Sequence, residues 1–161
     1  MPRITPFLWF DDEAQQAAAF YTSVFERSKI VDVMRYGDGA TGADARVMSV
    51  TFELDGQSFI ALNGGPNPRG AFSPTMSFFI HCRTQEELDA LWERLGEGGE
   101  PLQCGWLRDK FGVTWQVVPA MLGDMLSDDD RARSARVLRA MMRMCKLDIA
   151  QLRRAYDGER V

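Results

Sequence analysis

Apolar and polar residues change period several times along this chain, and each change marks an element. The opening "RITPFLWF", residues 3–10, is β-branched and aromatic and predicts a strand ending at Asp11-Asp12, an acidic pair that suits a helix N-cap and first turn. In the following "EAQQAAAFYTSVF", Ala14, Ala17, Ala18, Tyr21 and Phe25 recur at three- and four-residue spacings, the mark of an amphipathic helix. "KIVDVMRY" then alternates as a strand. Beyond a glycine-rich loop at 37–42, "RVMSVTFEL" sets Met48, Val50, Phe52 and Leu54 on one face. Asp55-Gly56 predicts a tight hairpin, because a type I′ turn needs positive φ at both central residues, and "QSFIALN" returns as its second strand. Residues 3–63 therefore read β-α-β-β-β.

The same order recurs after "GGPNPRGAFSP". "TMSFFIHC" is strand-like, and "TQEELDALWERL" is helical, with Thr84 and Glu87 forming a capping box and Leu88, Leu91, Trp92 and Leu95 an apolar stripe. Gly98-Gly99 ends that helix. "LQCGWL" predicts a short strand, Asp109 to Gly112 a turn, and "VTWQVVP" the last strand. Shifting the first module by 71 positions lays Phe20-Tyr21 on Leu91-Trp92 and Pro6 on Ser77, the sign of an internal duplication. The expected organisation is paired modules over 1–120, the first at about 3–65 and the second at about 74–119, followed by a helical arm over 121–161. In that arm, "SDDDRARSARVLRAMMRMC" carries Val137, Leu138, Met141, Met142 and Cys145 as one stripe, and Asp148 with Gln151 caps a final helix stopping near Gly158.

Composition narrows the class. A length of 161 residues with 45% hydrophobic and 26% charged residues suits a globular protein that buries its own core. The net charge of −4 argues against nucleic acid as a partner. The basic stripe of Arg136, Arg139, Arg143 and Lys146 reads as a solvated helix face. Three cysteines, Cys82, Cys104 and Cys145, form no disulfide framework and suit a reducing cytoplasm, and no apolar run reaches membrane-spanning length. The loop "GDGATG" matches the dinucleotide pattern G-x-G-x-x-G at Gly37, Gly39 and Gly42, but a strand pattern follows it. That motif needs a helix N-terminus to meet a pyrophosphate. Cys104 with His81 could make a nucleophile and base, although nothing in the sequence lowers the thiol pKa and a small buried side chain is the commoner role.

Two β-α-β-β-β modules, with "ITPFLWFDDEAQQAAAFY", "FELDGQSFIALNGGP", "TMSFFIHC" and "CGWLRDKFGVTWQVVP", resemble the PhnB-like group of the vicinal oxygen chelate superfamily, which also holds glyoxalase I, the bleomycin-resistance proteins and the extradiol dioxygenases. Many of the group carry the label 3-demethylubiquinone 3-methyltransferase. The resemblance covers about residues 3–126, and the tail is similar to the C-terminal extension of a subset of the group. It implies an α+β fold of tandem βαβββ modules whose sheets curl around a cavity, and a homodimer, for which a Met-rich arm gives a physical motive. Metal-dependent members take ligands at positions that fall at or beside Pro6, Ala61, Ser77 and Gln116. Here only Gln116 offers even a weak donor, so no metal site and no cofactor are expected. A methyltransferase would need a glycine-rich strand-to-helix turn for S-adenosylmethionine, which is missing from the pattern.

By period two, Thr114, Gln116 and Val118 share the cavity face of the last strand. Gln116 must then either bond a neighbour such as Ser77 or His81 or meet a bound molecule, since an unpaired buried polar group costs about 1–3 kcal/mol. Asn63, Ser77, Phe79, His81 and Gln116 together predict a pocket for a small, partly aromatic organic ligand between the modules. An enzyme in the same cavity, of glyoxalase or dioxygenase type or the labelled methyltransferase, is the alternative, and a purely structural dimerisation module is a third.

Overall fold

The computed structural model describes residues 4–37 and 46–159. The chain divides into two compact units, residues 1–71 and 72–161. Unit 1 contains β1 (Phe7–Phe10), α1 (Ala14–Val24), β2 (Lys29–Arg35), β3 (Val47–Leu54) and β4 (Gln57–Asn63). Its four strands form one mixed sheet in the order β1-β4-β3-β2, with β1 parallel to β4 and the other pairs antiparallel. The alanines of α1 let the helix sit close to the sheet. Ala14, Ala17, Ala18 and Tyr21 are all buried, as are Val50, Phe52, Phe59 and Ala61 of β3 and β4. Phe52 and Phe59 stack with ring centroids 5.3 Å apart. At the hairpin, Asp55 and Gly56 both take positive φ, 47° and 82°, as a type I′ turn requires.

One local detail departs from the sequence pattern. Asp11 and Asp12 do not cap α1; Glu13 holds the cap position and makes no side-chain bond there. The first helical amide, Ala14 N–H, instead donates to Asn63 Oδ1 at 2.8 Å, so the helix is capped from the far end of β4. The "NGGP" stretch has a steric reason: a Cβ on Gly64 would lie 2.4 Å from the Trp9 ring, and the Trp9 indole donates to Gly65 O at 2.8 Å.

Unit 2 repeats the plan with β5 (Phe78–Cys82), α2 (Gln85–Gly96), β6 (Glu100–Pro101), β7 (Trp106–Arg108) and β8 (Thr114–Pro119), in the sheet order β5-β8-β7-β6. Thr84 caps α2 by accepting from Glu87 N, while the Glu87 carboxylate reaches back to Arg83 N. Leu88 and Leu95 are fully buried. The segment "LQCGWL" is not one strand. Its centre turns at Cys104 (φ 61°) and Gly105 (φ 81°), leaving β7 and a two-residue β6 on either side. Gly105 also has no room for a side chain, since a Cβ would sit 2.9 Å from Leu147 Cδ1. In the turn before β8, the buried Asp109 accepts from Phe111 N, Val113 N and the Trp115 indole at 2.8–3.0 Å. One carboxylate thereby shapes the turn and anchors the strand that follows it.

The arm belongs to unit 2 and comprises α3 (Leu122–Leu126), α4 (Arg131–Met141) and α5 (Ile149–Asp157). Asp130 caps α4 and Asp148 caps α5. The segment joining these helices is tied to the unit's own surface. Cys104 N and Gly105 N donate to Met144 O and Cys145 O at 2.8 and 2.7 Å, and the Gln85 amide bonds both Leu147 O and Ile149 N. The expected continuous apolar stripe is not realised. Val137 is buried, but Leu138 is 47% and Met142 59% exposed, because α4 stops at Met141 and the anchoring passes to Leu147, Leu152 and Ala155. Among the described residues, no helix is long and apolar enough to cross a membrane.

Candidate functional site

Each strand of the second sheet turns alternate residues to opposite faces. Phe78, Ile80 and Cys82 of β5, with Trp115 and Val117 of β8, take the face on which α2 packs, where the Phe78 and Trp115 rings lie 5.2 Å apart. Burial, reinforced by the nearby Glu87 charge, pushes the Cys82 thiol up to about 12, so it stays protonated and inert. The opposite face carries the predicted site residues. Parallel pairing sets Phe79 beside Gln116, and the antiparallel pair on the other edge of β8 sets Trp106 beside Gln116. A row of two aromatic rings flanking one amide therefore crosses β5, β8 and β7. Ser77 and His81 extend it along β5.

Ser77, Phe79, His81 and Gln116 are brought together as the alternation of strands predicted. Gln116 Nε2 donates to Ser77 Oγ at 2.9 Å. The Phe79 and His81 rings lie 4.7 Å apart at 52°, and Phe79 is 49% exposed. The amide nitrogen of Gln116 thus has an internal partner, whereas its Oε1 accepts no hydrogen bond among the described residues. That oxygen is also not sealed from solvent, since among the described residues no buried side-chain polar atom lacks a partner. Trp106 was missed from sequence because its place depends on the β7–β8 register, which residue types at 102–107 do not reveal.

Asn63 lies in unit 1 and its side chain is already engaged: Oδ1 accepts from Ala14 N at 2.8 Å and Nδ2 donates to Val47 O at 3.1 Å. It shares the helix-covered face of β4 with the fully buried Ala61. The residues at the inherited ligand positions do not fit a divalent ion. Ala61 has no donor and faces the core, Ser77 and Gln116 bond one another, and no group of three or more His, Cys, Asp or Glu among the described residues could hold a metal. A bound S-adenosylmethionine finds no better fit. Gly39 and Gly42 of the glycine-rich loop lie outside the described residues, and the next described element is a strand, β3, rather than a helix.

The family described as 3-demethylubiquinone-9 3-methyltransferase matches residues 2–118. Among solved structures, the PhnB protein from Bacillus cereus is 37% identical, with a TM-score of 0.66 over 74% of this chain and 100% of that one. Protein PA1353 from Pseudomonas aeruginosa is 20% identical with a TM-score of 0.56, covering 71% of this chain and 95% of its own. The fosfomycin resistance protein FosX from Mesorhizobium loti shares the fold at 13% identity, with a TM-score of 0.53 over 79% and 98% of the two chains. No curated protein matches the chain.

Proposed function

The chain belongs to the 3-demethylubiquinone-9 3-methyltransferase family, the PhnB-like group with the vicinal oxygen chelate fold, and from that premise we propose that it binds a small, partly aromatic organic molecule without a tightly held metal. The observation that carries this reading is the row of Phe79, Gln116 and Trp106 on the sheet face opposite α2, with Gln116 Oε1 unengaged between two rings. Flat apolar surfaces around one oriented acceptor suit a ring bearing a hydroxyl or amine. Ser77 fixes the amide so that its oxygen, not its nitrogen, faces the ligand, and His81 supports Phe79 from the side. Asn63 contributes at a distance, by holding α1 and the end of β4 in place.

Exposed Phe7 and Trp9 on unit 1, and Leu138 and Met142 on the arm, support self-association into a homodimer. The three unpaired cysteines suit a reducing cytoplasm.

The family description favours a second reading, a methyltransferase. Native mass spectrometry of freshly purified protein separates the two. The proposal expects a dimer with a co-purified organic mass that is lost in a Phe79→Ala/Gln116→Leu variant, and no stoichiometric zinc, nickel, manganese or iron. A metal bound one per chain would overturn it, and a one-to-one S-adenosylmethionine adduct would favour the methyltransferase.

A further inference from the structure

We propose that the groove between α4 and α5 is a second, separate binding site, one for a small organic phosphate. Nine of the chain's 19 lysines and arginines fall within 121–161, against seven carboxylates there, so the arm is basic on a chain of net charge −4. Arg136 and Arg139 lie three residues apart on α4, Arg143 follows just beyond its end at Met141, and the three line a cavity of about 420 Å³ whose apolar walls include Ala140 and Met144. The three guanidiniums do different work. Arg136 donates to Ala155 O at 2.8 Å and Tyr156 O at 2.7 Å, neutralising the carbonyl end of α5 that would otherwise repel an anion. The guanidiniums of Arg139 and Arg143 have no hydrogen-bond or ion-pair partner among the described residues.

Three arginines against Glu159 leave a surplus of two positive charges around the groove, with the guanidiniums of Arg139 and Arg143 unspent. A phosphomonoester dianion matches that charge and the forked geometry of guanidinium donors, and the apolar wall accommodates an organic group attached to it. Glu159 also lines the groove and opposes an anion. The whole site lies outside the stretch matched by the family, 2–118, and is independent of the sheet face described above.

The test is an amide NMR titration of the full chain with phenyl phosphate, with phenol as the uncharged control. The expected result is saturable shifts over residues 136–144 with phenyl phosphate and not with phenol. Affinity should fall at least tenfold in an Arg139→Gln/Arg143→Gln variant, whose substituted side chains are exposed and leave the thermal midpoint unchanged, and should rise by about threefold in Glu159→Gln as one opposing charge is removed. No saturable shift at 136–144, equal affinity in the double-arginine variant, or equal response to phenol would each overturn the proposal.

Discussion

A carboxamide on a strand can serve a ligand or the fold, and in this chain Asn63 and Gln116 differ in where their hydrogen bonds go. Asn63 spends both ends of its amide inside unit 1, on the first amide of α1 and on Val47 O. Gln116 spends only its nitrogen. Replacing Asn63 by Ala leaves a helix-end donor and a strand carbonyl without partners, so it is expected to lower stability by about 1–3 kcal/mol in urea unfolding. Gln116→Leu, at a partly buried position with one side-chain bond, to Ser77, should cost less. The reverse order would contradict these assignments. The face of Gln116 was legible from simple alternation, because "VTWQVVP" puts one polar residue among apolar ones. The role of Asn63 was not, because its partner Ala14 is 49 residues away and the nearer Asp11 and Asp12 offered a more obvious cap. The three bonds to Asp109 were hidden for a related reason: a D-K-F-G turn advertises itself, but its second link, to the Trp115 indole, depends on how the strand leaves the turn.

At the scale of elements, helices and hairpins with local signals were readable: the capping pairs at Thr84 and Asp148 and the Asp55-Gly56 turn stand where their residue types put them. The split of "LQCGWL" and the docking of the arm were not, since both are set by tertiary contacts around Gly105 and Leu147 rather than by periodicity. The arm is latched to α2 by the Gln85 amide and by Lys146, whose ammonium sits 2.7 Å from Asp89. That ammonium, and then the Gln85 amide, hold the Asp89 carboxyl below the usual carboxylate value. A depressed folded pKa means that the contribution to stability is present above the unfolded pKa and is lost as pH falls through the folded one. Lys146→Met should therefore flatten the decline of the thermal midpoint as the pH is lowered from 7 to 3, with only a small change at neutral pH because the pair is partly exposed. An acid dependence identical to that of the unsubstituted protein would show that the latch does not couple to Asp89.

For the whole molecule, two units share one plan: a four-stranded mixed sheet with a helix on one face and aromatic residues on the other. The duplication was visible in sequence because element order survives where letters drift. The fold family places the chain among proteins whose members differ in chemistry, so the proposed function rests on the side chains of the second sheet's face opposite α2. There, among the described residues, His81 is joined by no second His and by no Cys, Asp or Glu set for a cation, and it stands beside aromatic surface with one oriented oxygen. The most direct measurement is a side-chain and amide NMR titration with 1-naphthol, a neutral aromatic hydroxyl compound. Saturable shifts at Phe79, His81, Trp106 and Gln116 that persist unchanged in EDTA are predicted. An absence of saturable shifts at these residues, or shifts that disappear when EDTA is added, would contradict the account.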